Sequence, residues 1–416
     1  MAKNKIIAAI DMGSSKVATL VAQVREEDTS RLHVVGAASA VSRGIRKGQI
    51  VNIEEAVASI EESVEAAERM AGYNISKAWV SIGGAHIGSL NSQGVVAVAQ
   101  PQGEVTSQDV QRVIEAAQAV SLPTSAEIIH VIPRSYTVDG QDGVKDPVGM
   151  TGVRLEVETH IVTGSTTALK NLAKCVGEVG CDVEGMVFSG LASAGAVLSD
   201  TEKELGVILI DIGGGTTDIA IFVEGALSYS SVLPVGAKNV TNDLAIGLRV
   251  SLEGAEKIKL ALGDFKPKED EINLAELGLG DELKTVSYKT LVEGIIRPRL
   301  NELFSMVAGE LKKSGLVGLT PSGLVVCGGG AQTVGVIESA KRVLSAPVRI
   351  GIPTGISGLI DDIENPAFAA SVGLLHHANN LENEDLGHNG WTNPLEKLPL
   401  HGAWGKISDL VKSLLP

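Results

Sequence analysis

Apolar residues follow two rhythms along this chain. Apolar runs at residues 6–10, 17–22 (interrupted only by Thr19), 207–210 and 219–223 have the length of strands buried on both faces. Elsewhere the spacing is helical: Ala56, Val57, Ile60, Val64 and Ala67 recur on one face and predict a helix over residues 54–71. Strands and helices alternate in this way down most of the chain, which predicts α/β lobes. Residues 84–162 carry elements of their own, with strands expected around 95–98 and 155–162 and a helix around 109–119, and read as an insertion. Residues 239–297 are helix-rich and read as a second insertion; their charged run, Lys266-Pro-Lys-Glu-Asp-Glu271, reads as a solvated loop. The last periodic stretch of the lobes is residues 367–375, and residues 379–401 are polar, contain proline and lack periodicity, as a linker does. Periodicity returns at the end: at 100° per residue Trp404, Ile407, Leu410, Val411, Leu414 and Leu415 share one continuous arc, opposite Lys406, Ser408, Asp409, Lys412 and Ser413.

Two of the apolar runs belong to a longer repeat. Each ends in an aspartate, passes through a turn of small residues and continues into a second apolar run. The first copy reads Asp11-Met-Gly-Ser-Ser-Lys16 between its strands, the second Asp211-Ile-Gly-Gly-Gly-Thr-Thr-Asp218. Such a duplication predicts two homologous lobes facing each other across a cleft. Small residues let backbone N–H groups approach phosphate oxygens, so Gly13, Ser14 and Ser15 can form one cradle. Gly213, Gly214, Gly215, Thr216 and Thr217 can form the other, with hydroxyls as further donors. Either hairpin alone would be an ordinary tight turn; the matched pair is what points to a nucleotide. Asp11 and Asp211 stand where Mg²⁺ could be held through retained waters, and Lys16 would add a point charge near the phosphates. A third glycine turn, Gly328, Gly329, Gly330 and Ala331, follows the apolar residues 324–327 and could lie against a nucleoside, although a glycine-rich strand–helix junction is commonly a plain tight connection.

Composition narrows the field. At 416 residues the chain exceeds what one core usually supports, so at least two lobes are expected. A hydrophobic share of 44% and a charged share of 20% are those of a globular protein. The net charge of −15 would repel a polyphosphate backbone, and no dense basic stripe offsets it, which argues against nucleic-acid binding. Cys175, Cys181 and Cys327 have no metal or disulfide spacing and are expected to be free thiols in a reducing compartment. No apolar run is long enough to span a bilayer, and Asp11 interrupts the first run before a signal core forms. A cytosolic chain with at most peripheral membrane contact is expected, and the arc from Trp404 to Leu415 suits a helix lying in the membrane interface. The bland reading of that arc is a terminal helix docked on the protein's own core.

The two Asp-Gly hairpins, the Gly328–Ala331 turn and Asn365-Pro-Ala-Phe-Ala-Ala370 resemble the actin, Hsp70 and sugar-kinase set of ATPases. Within it the chain is similar to the FtsA family of bacterial cell-division proteins, on Val80-Ser-Ile-Gly-Gly-Ala-His-Ile87, Asn91-Ser-Gln-Gly94, Val131-Ile-Pro-Arg-Ser-Tyr136 and Asp146-Pro-Val-Gly-Met-Thr-Gly-Val-Arg-Leu155. The first turn departs from it, reading Gly-Ser-Ser-Lys where many relatives have Gly-Thr. The resemblance implies an actin-like two-lobed α/β fold with duplicated ATPase subdomains. One subdomain would comprise residues 1–83 and 163–204, the other 205–238 and 298–378. Residues 84–162 would be an SHS2-like subdomain, 239–297 the insertion on the second lobe, 379–401 a flexible linker and 402–416 an amphipathic membrane-targeting helix. It also implies ATP and Mg²⁺ as cofactors, with Gly236 and Lys257 facing the nucleotide; by its spacing alone, Lys257 reads equally as part of a solvated helix face. Implied partners are the C-terminal peptide of FtsZ on residues 239–297, later division proteins on the first insert, further copies of the chain in filaments, and the anionic inner-membrane surface at the division site. No residue stands out as a general base, so weak or no ATP hydrolysis is expected. A pilus-assembly actin-like scaffold and an ATPase of the Hsp70 or sugar-kinase type are the rival readings.

Overall fold

A computed structural model describes residues 5–25, 28–99, 103–264, 271–273, 285–359, 361 and 363–385. The first lobe opens with an antiparallel meander of β1 (Lys5–Met12), β2 (Lys16–Arg25) and β3 (Asp28–Val41). A small hairpin, β4 (Ile45–Arg46) and β5 (Gln49–Ile50), leads to α1 (Ile53–Ala71) and then to β6 (Lys77–Ile82), which lies parallel to β1. Helix α1 falls where the periodicity placed it. Asn52 caps it by accepting from Glu55 N, Gly72 ends it at φ 73°, and Ala56, Ile60, Val64 and Ala67 are buried against the sheet.

The chain then leaves the lobe for the insert, which is β7 (Gly88–Ala97), α2 (Ser107–Gln118), β8 (Ala126–Val138), β9 (Gln141–Val144) and β10 (Arg154–Ser165). These strands form a separate sheet in the order β7-β10-β8-β9 over a small core that includes Val113, Ala117, Tyr136, Leu155 and Val157. A capping box between Thr106 and Asp109 starts α2. The chain returns through α3 (Thr166–Glu178) to β11 (Asp182–Phe188), parallel to β6, and leaves the first lobe by α4 (Ser189–Val197) and α5 (Asp200–Leu205).

The second lobe repeats the plan. β12 (Val207–Ile212), β13 (Thr217–Val223) and β14 (Ala226–Leu233) form the antiparallel meander. Helices α6 (Ala237–Leu248) and α7 (Leu252–Asp264), the short pair β15 (Glu271–Asn273) and β16 (Thr285–Ser287), α8 (Tyr288–Leu291) and α9 (Arg297–Ser314) follow. Then β17 (Leu324–Cys327) pairs parallel to β12, and beyond α10 (Val336–Leu344) β18 (Val348–Ile350) pairs parallel to β17. The two sheets thus run β3-β2-β1-β6-β11 and β14-β13-β12-β17-β18, with β19 (Ile356–Gly358) returning to the first beside β3. The duplication read from the two hairpins extends to five strands of each sheet.

The last described helix, α11 (Ala369–Asp385), crosses α4 so closely that Gly373 sits on the backbone of Ala192. It continues to Asp385, past Asn379, where the sequence reading begins the linker. The physical reason is that its inner face still packs on the first lobe. Ala378 and Asn379 are inside, and the His377 ring stands edge-on to Trp79 and His130 at 5.6 and 5.9 Å. The rest of that linker, the arc from Trp404 to Leu415 and the charged run before Glu271 lie outside the described residues. The three cysteines are free and buried. Among the described residues no helix is long and apolar enough to cross a membrane.

Candidate functional site

The two predicted turns are closed by the same hydrogen bond. Gly13 N donates to Lys16 O at 3.1 Å, and Gly213 N to Thr216 O at 2.9 Å. They also meet. A Cβ on Gly214 would lie 1.9 Å from Ser15 Oγ, and one on Gly215 2.8 Å from Ser14 Oγ, so neither position admits a side chain. Lys238 Nζ donates across the contact to Ser14 O at 2.6 Å, and Gly48 N donates to Ser14 Oγ at 3.1 Å. Helix α6 begins beneath the second turn: Ala237 N and Lys238 N donate to Gly213 O and Gly214 O at 2.9 Å each. A Cβ on its cap, Gly236, would come within 2.6 Å of Gly213 O. The third glycine turn lies behind Asp211. Gly328 takes φ 80°, where a Cβ would be 2.1 Å from Asp211 Oδ1, Gly330 packs on Ile212, and Ala331 is buried. Gly329 lies beside Ala367 of the Asn365–Ala370 motif.

Beside the turns stand three carboxylates, Asp211 and Asp218 buried and Asp11 largely so. Asp11, at the end of β1, accepts from Ser81 Oγ at 2.6 Å and from Ser371 Oγ at 3.5 Å, and burial raises its pKa against those bonds. Asp211, at the matching place on β12, accepts from Ser193 Oγ; burial and then the Asp11 charge push it up to about 6. Asp218 is raised well above the usual carboxylate range by burial and by the other two acids, and its Oδ1 has no hydrogen-bond partner among the described residues. Lys16 lies over the Phe368 ring with Nζ 3.1 Å from its centroid. Burial brings its ammonium down to about 8, against the pull of Asp11 and Asp211.

The fold brings together Asp11, Gly13, Ser14, Ser15, Lys16, Asp211, Gly213, Gly214, Gly215, Thr216, Gly236 and the Gly328–Ala331 turn. Two expected donors are placed otherwise. The Thr217 hydroxyl is fully buried and donates to Val235 O at 2.8 Å, which ties the turn to the loop before α6 and leaves the residue a backbone role. Lys257 is half exposed and ion-pairs with Glu253 one helical turn earlier, at 3.1 Å. The lysine that reaches the turns is Lys238. Sequence reasoning also missed Asp218, Ser81, Ser193, Ser371 and Phe368. For Asp218 and Lys238 a signal existed, since one closes the second turn's motif and the other follows Gly236. A cavity of about 650 Å³ lies away from the turns, between the insert and α11, lined in part by Ile114, Arg134, Tyr136, Leu191 and His377.

Two homologous sheets whose turns close face to face over buried aspartates define the class of two-lobed proteins with an actin-like fold. Solved structures of that class superimpose on the chain. They include the PilM–PilN type IV pilus biogenesis complex (TM-score 0.63, 15% identity, 90% of this chain and 98% of that one) and MreB5 of Spiroplasma citri bound to AMPPNP (0.54, 14%, 92% and 99%). At such identities the likeness is one of fold. Sequence is more specific. The family model described as the SHS2 domain inserted in FtsA matches residues 84–163, and that of cell division protein FtsA matches residues 208–373. Cell division protein FtsA of Pseudomonas aeruginosa is 43% identical over 375 residues, 89% of this chain and 88% of that one. That of Escherichia coli K12 is 36% identical over 384 residues, 90% of each. The chain belongs to the FtsA family of cell division proteins.

Proposed function

We propose that this chain binds ATP with Mg²⁺ between its two turns, polymerises on the cytoplasmic face of the inner membrane, and holds FtsZ filaments there at the division site. The observation that carries the reading is the matched pair of turns over three buried or largely buried carboxylates. Burial raises all three acids and their mutual repulsion raises Asp211 and Asp218 further, a cost that a bound cation would relieve, and the orphaned Asp218 Oδ1 marks where partners among the described residues run short. The residues therefore fit a metal-bound polyphosphate. Bound Mg²⁺ would neutralise phosphate charge, with Asp11, Asp211 and Asp218 holding it through water. The glycine and serine backbones of the two turns would take the phosphates, the second turn held in place by the start of α6 at Gly236. Lys16 would add positive charge, and Gly328, Gly329, Gly330 and Ala331 would line the nucleoside. MreB5, of the same fold, has been solved with AMPPNP and with ADP, which supports a nucleotide here. No acid is left over to act as a general base, so hydrolysis is slow or nil.

The tail supports the membrane half of the reading. A tail carrying Lys406 and Lys412 against Asp409 would be drawn only weakly to anionic lipid, so attachment would depend on many tails in one polymer. The FtsZ C-terminal peptide is assigned to residues 239–297 and later division proteins to the insert. Calorimetry should show ATP–Mg²⁺ binding to the wild type and none to Gly215→Asp or Asp211→Ala; equal affinities would remove the cleft from the reading. Anionic vesicles should pellet FtsZ polymers when this chain is present. FtsZ left in the supernatant would remove the tether.

A further inference from the structure

The insert departs from and returns to the first lobe, through β6 and α3, yet it also makes polar contacts with the second. Strand β14 ends the second sheet and offers two carbonyls to β7: Ser89 Oγ donates to Ser230 O at 2.7 Å and Asn91 Nδ2 to Ser228 O at 3.4 Å. Asn91 Oδ1 faces His160 Nδ1 at 2.7 Å, and His160 Nε2 faces Ser230 Oγ at 2.9 Å. An amide oxygen can only accept, so Nδ1 carries the ring proton and Nε2 accepts from the Ser230 hydroxyl. Arg134 Nε donates to Ser228 Oγ at 3.1 Å, and that hydroxyl donates in turn to Ala226 O at 3.2 Å. Every member therefore has a partner in one consistent direction. The centre of the junction is dry, with His160 and Ser228 each 1% exposed and Ser230 3%, while Ser89 and Arg134 are half-buried and Asn91 lies at the exposed rim. Burial, and then the Arg134 charge, hold His160 neutral, its pKa pushed down to about 4.

An apolar contact can slide at small cost, but a directional network with a buried centre tolerates one placement, because a shift of about an ångström leaves the dehydrated groups of His160, Ser228 and Ser230 unpaired. We infer that this seam is a latch between the lobes: it closes when the two turns meet and breaks when they part, so the position of the insert reports the state of the cleft. The connection is mechanical. β14 is hydrogen-bonded along β13, and β13 begins at Thr217 of the second turn. A rotation that separates Gly214 from Ser15 therefore carries Ser228 and Ser230 away from Asn91 and His160, which stay with the first lobe.

The inference rests on nucleotide binding between the turns, as proposed above, and linkage makes it testable. If the seam favours the closed form and nucleotide does too, breaking the seam must weaken nucleotide binding, although no seam residue belongs to either turn. Ser230→Ala and His160→Phe should each lower ATP–Mg²⁺ affinity on the order of tenfold by calorimetry. Val153→Ala, at an exposed site on the insert, should leave it unchanged. Hydrogen exchange should show Gly88–Ala97 more protected with ATP–Mg²⁺ in the wild type, and that response should vanish in both seam variants. Should His160→Phe fold poorly, Ser89→Ala replaces it, since it deletes one hydroxyl at a half-buried position. Unchanged affinity together with an unchanged exchange response in a folded variant overturns the latch. A wild type that binds no nucleotide overturns the cleft reading and the latch with it, and the wild-type titration tells the two failures apart.

Discussion

Asp218 shows how one residue can set a ligand-free protein against itself. Its folded pKa, like those of Asp11 and Asp211, lies above the ordinary value of 3.8, so the native state holds protons that the unfolded chain has released. Stability without ligand must then fall as pH rises from about 4, through the Asp211 value of about 6, and further for Asp218. Asp218→Asn keeps the shape and removes the charge. It should raise ligand-free stability at pH 7.5 by roughly 1–3 kcal/mol and flatten the pH dependence, while weakening ATP–Mg²⁺ binding. Melting curves at pH 5 and 7.5 check this, and parallel curves for variant and wild type would acquit the cluster. Asp11 and Asp211 were legible in the sequence because each heads a glycine turn on its own strand. Their partners were not, since Ser81 and Ser371 lie 70 and 360 residues from Asp11 and only the fold brings them near. Thr217 misled because a hydroxyl in a glycine turn looks like a phosphate donor, and only the packing shows it bound to Val235 O.

Among the elements, α1 and α11 mark the limits of periodicity. The buried side of α1, Ser59 and Ser63 apart, is apolar and reads directly, whereas the later turns of α11 bury Asn379 and half-bury His377, whose polarity suggests a linker. His377 is held neutral, its pKa pushed down to about 4 by burial, so it serves as core. The seat of α11 on α4 also separates two glycines that look equivalent in sequence. At Gly373 a Cβ would stand 1.7 Å from Ala192 O, rigid backbone that cannot give way, while Gly195 in α4 is exposed with open space around it. Gly373→Ala should cost about 3 kcal/mol or more by forcing the helices apart. Gly195→Ala should add roughly 0.5–1 kcal/mol by reducing the freedom of the unfolded chain. Denaturant midpoints at constant slope measure both, and effects of the same sign would contradict the crossing described here.

At the scale of the molecule the duplication was legible from two hairpins, because a strand, its aspartate and its turn are contiguous. The seam was not, because it joins strands from opposite lobes through side chains ordinary for any surface. Net charge belongs to this scale as well. A chain at −15 is repelled by an anionic bilayer, so the attachment proposed above would fall to the apolar arc of Trp404, Ile407, Leu410, Val411, Leu414 and Leu415. Ile407→Glu would force a carboxylate into the apolar boundary and should reduce vesicle flotation at least tenfold while leaving the melting temperature alone. A wild type that never floats, paired with a variant that melts early, would make that arc part of the folded core instead.

β14 deserves a last thought as the border of a sheet. An unpaired strand is a template on which another chain can continue the ladder, and proteins cover such borders or charge them. At the opposite border, β18 is three residues long; β14 spans eight. With Ser89 and Asn91 seated on its carbonyls, β14 has no room for a further strand. The insert therefore also guards solubility: a chain relieved of residues 84–163 would bare this border, and its copies would join sheet to sheet as concentration rises.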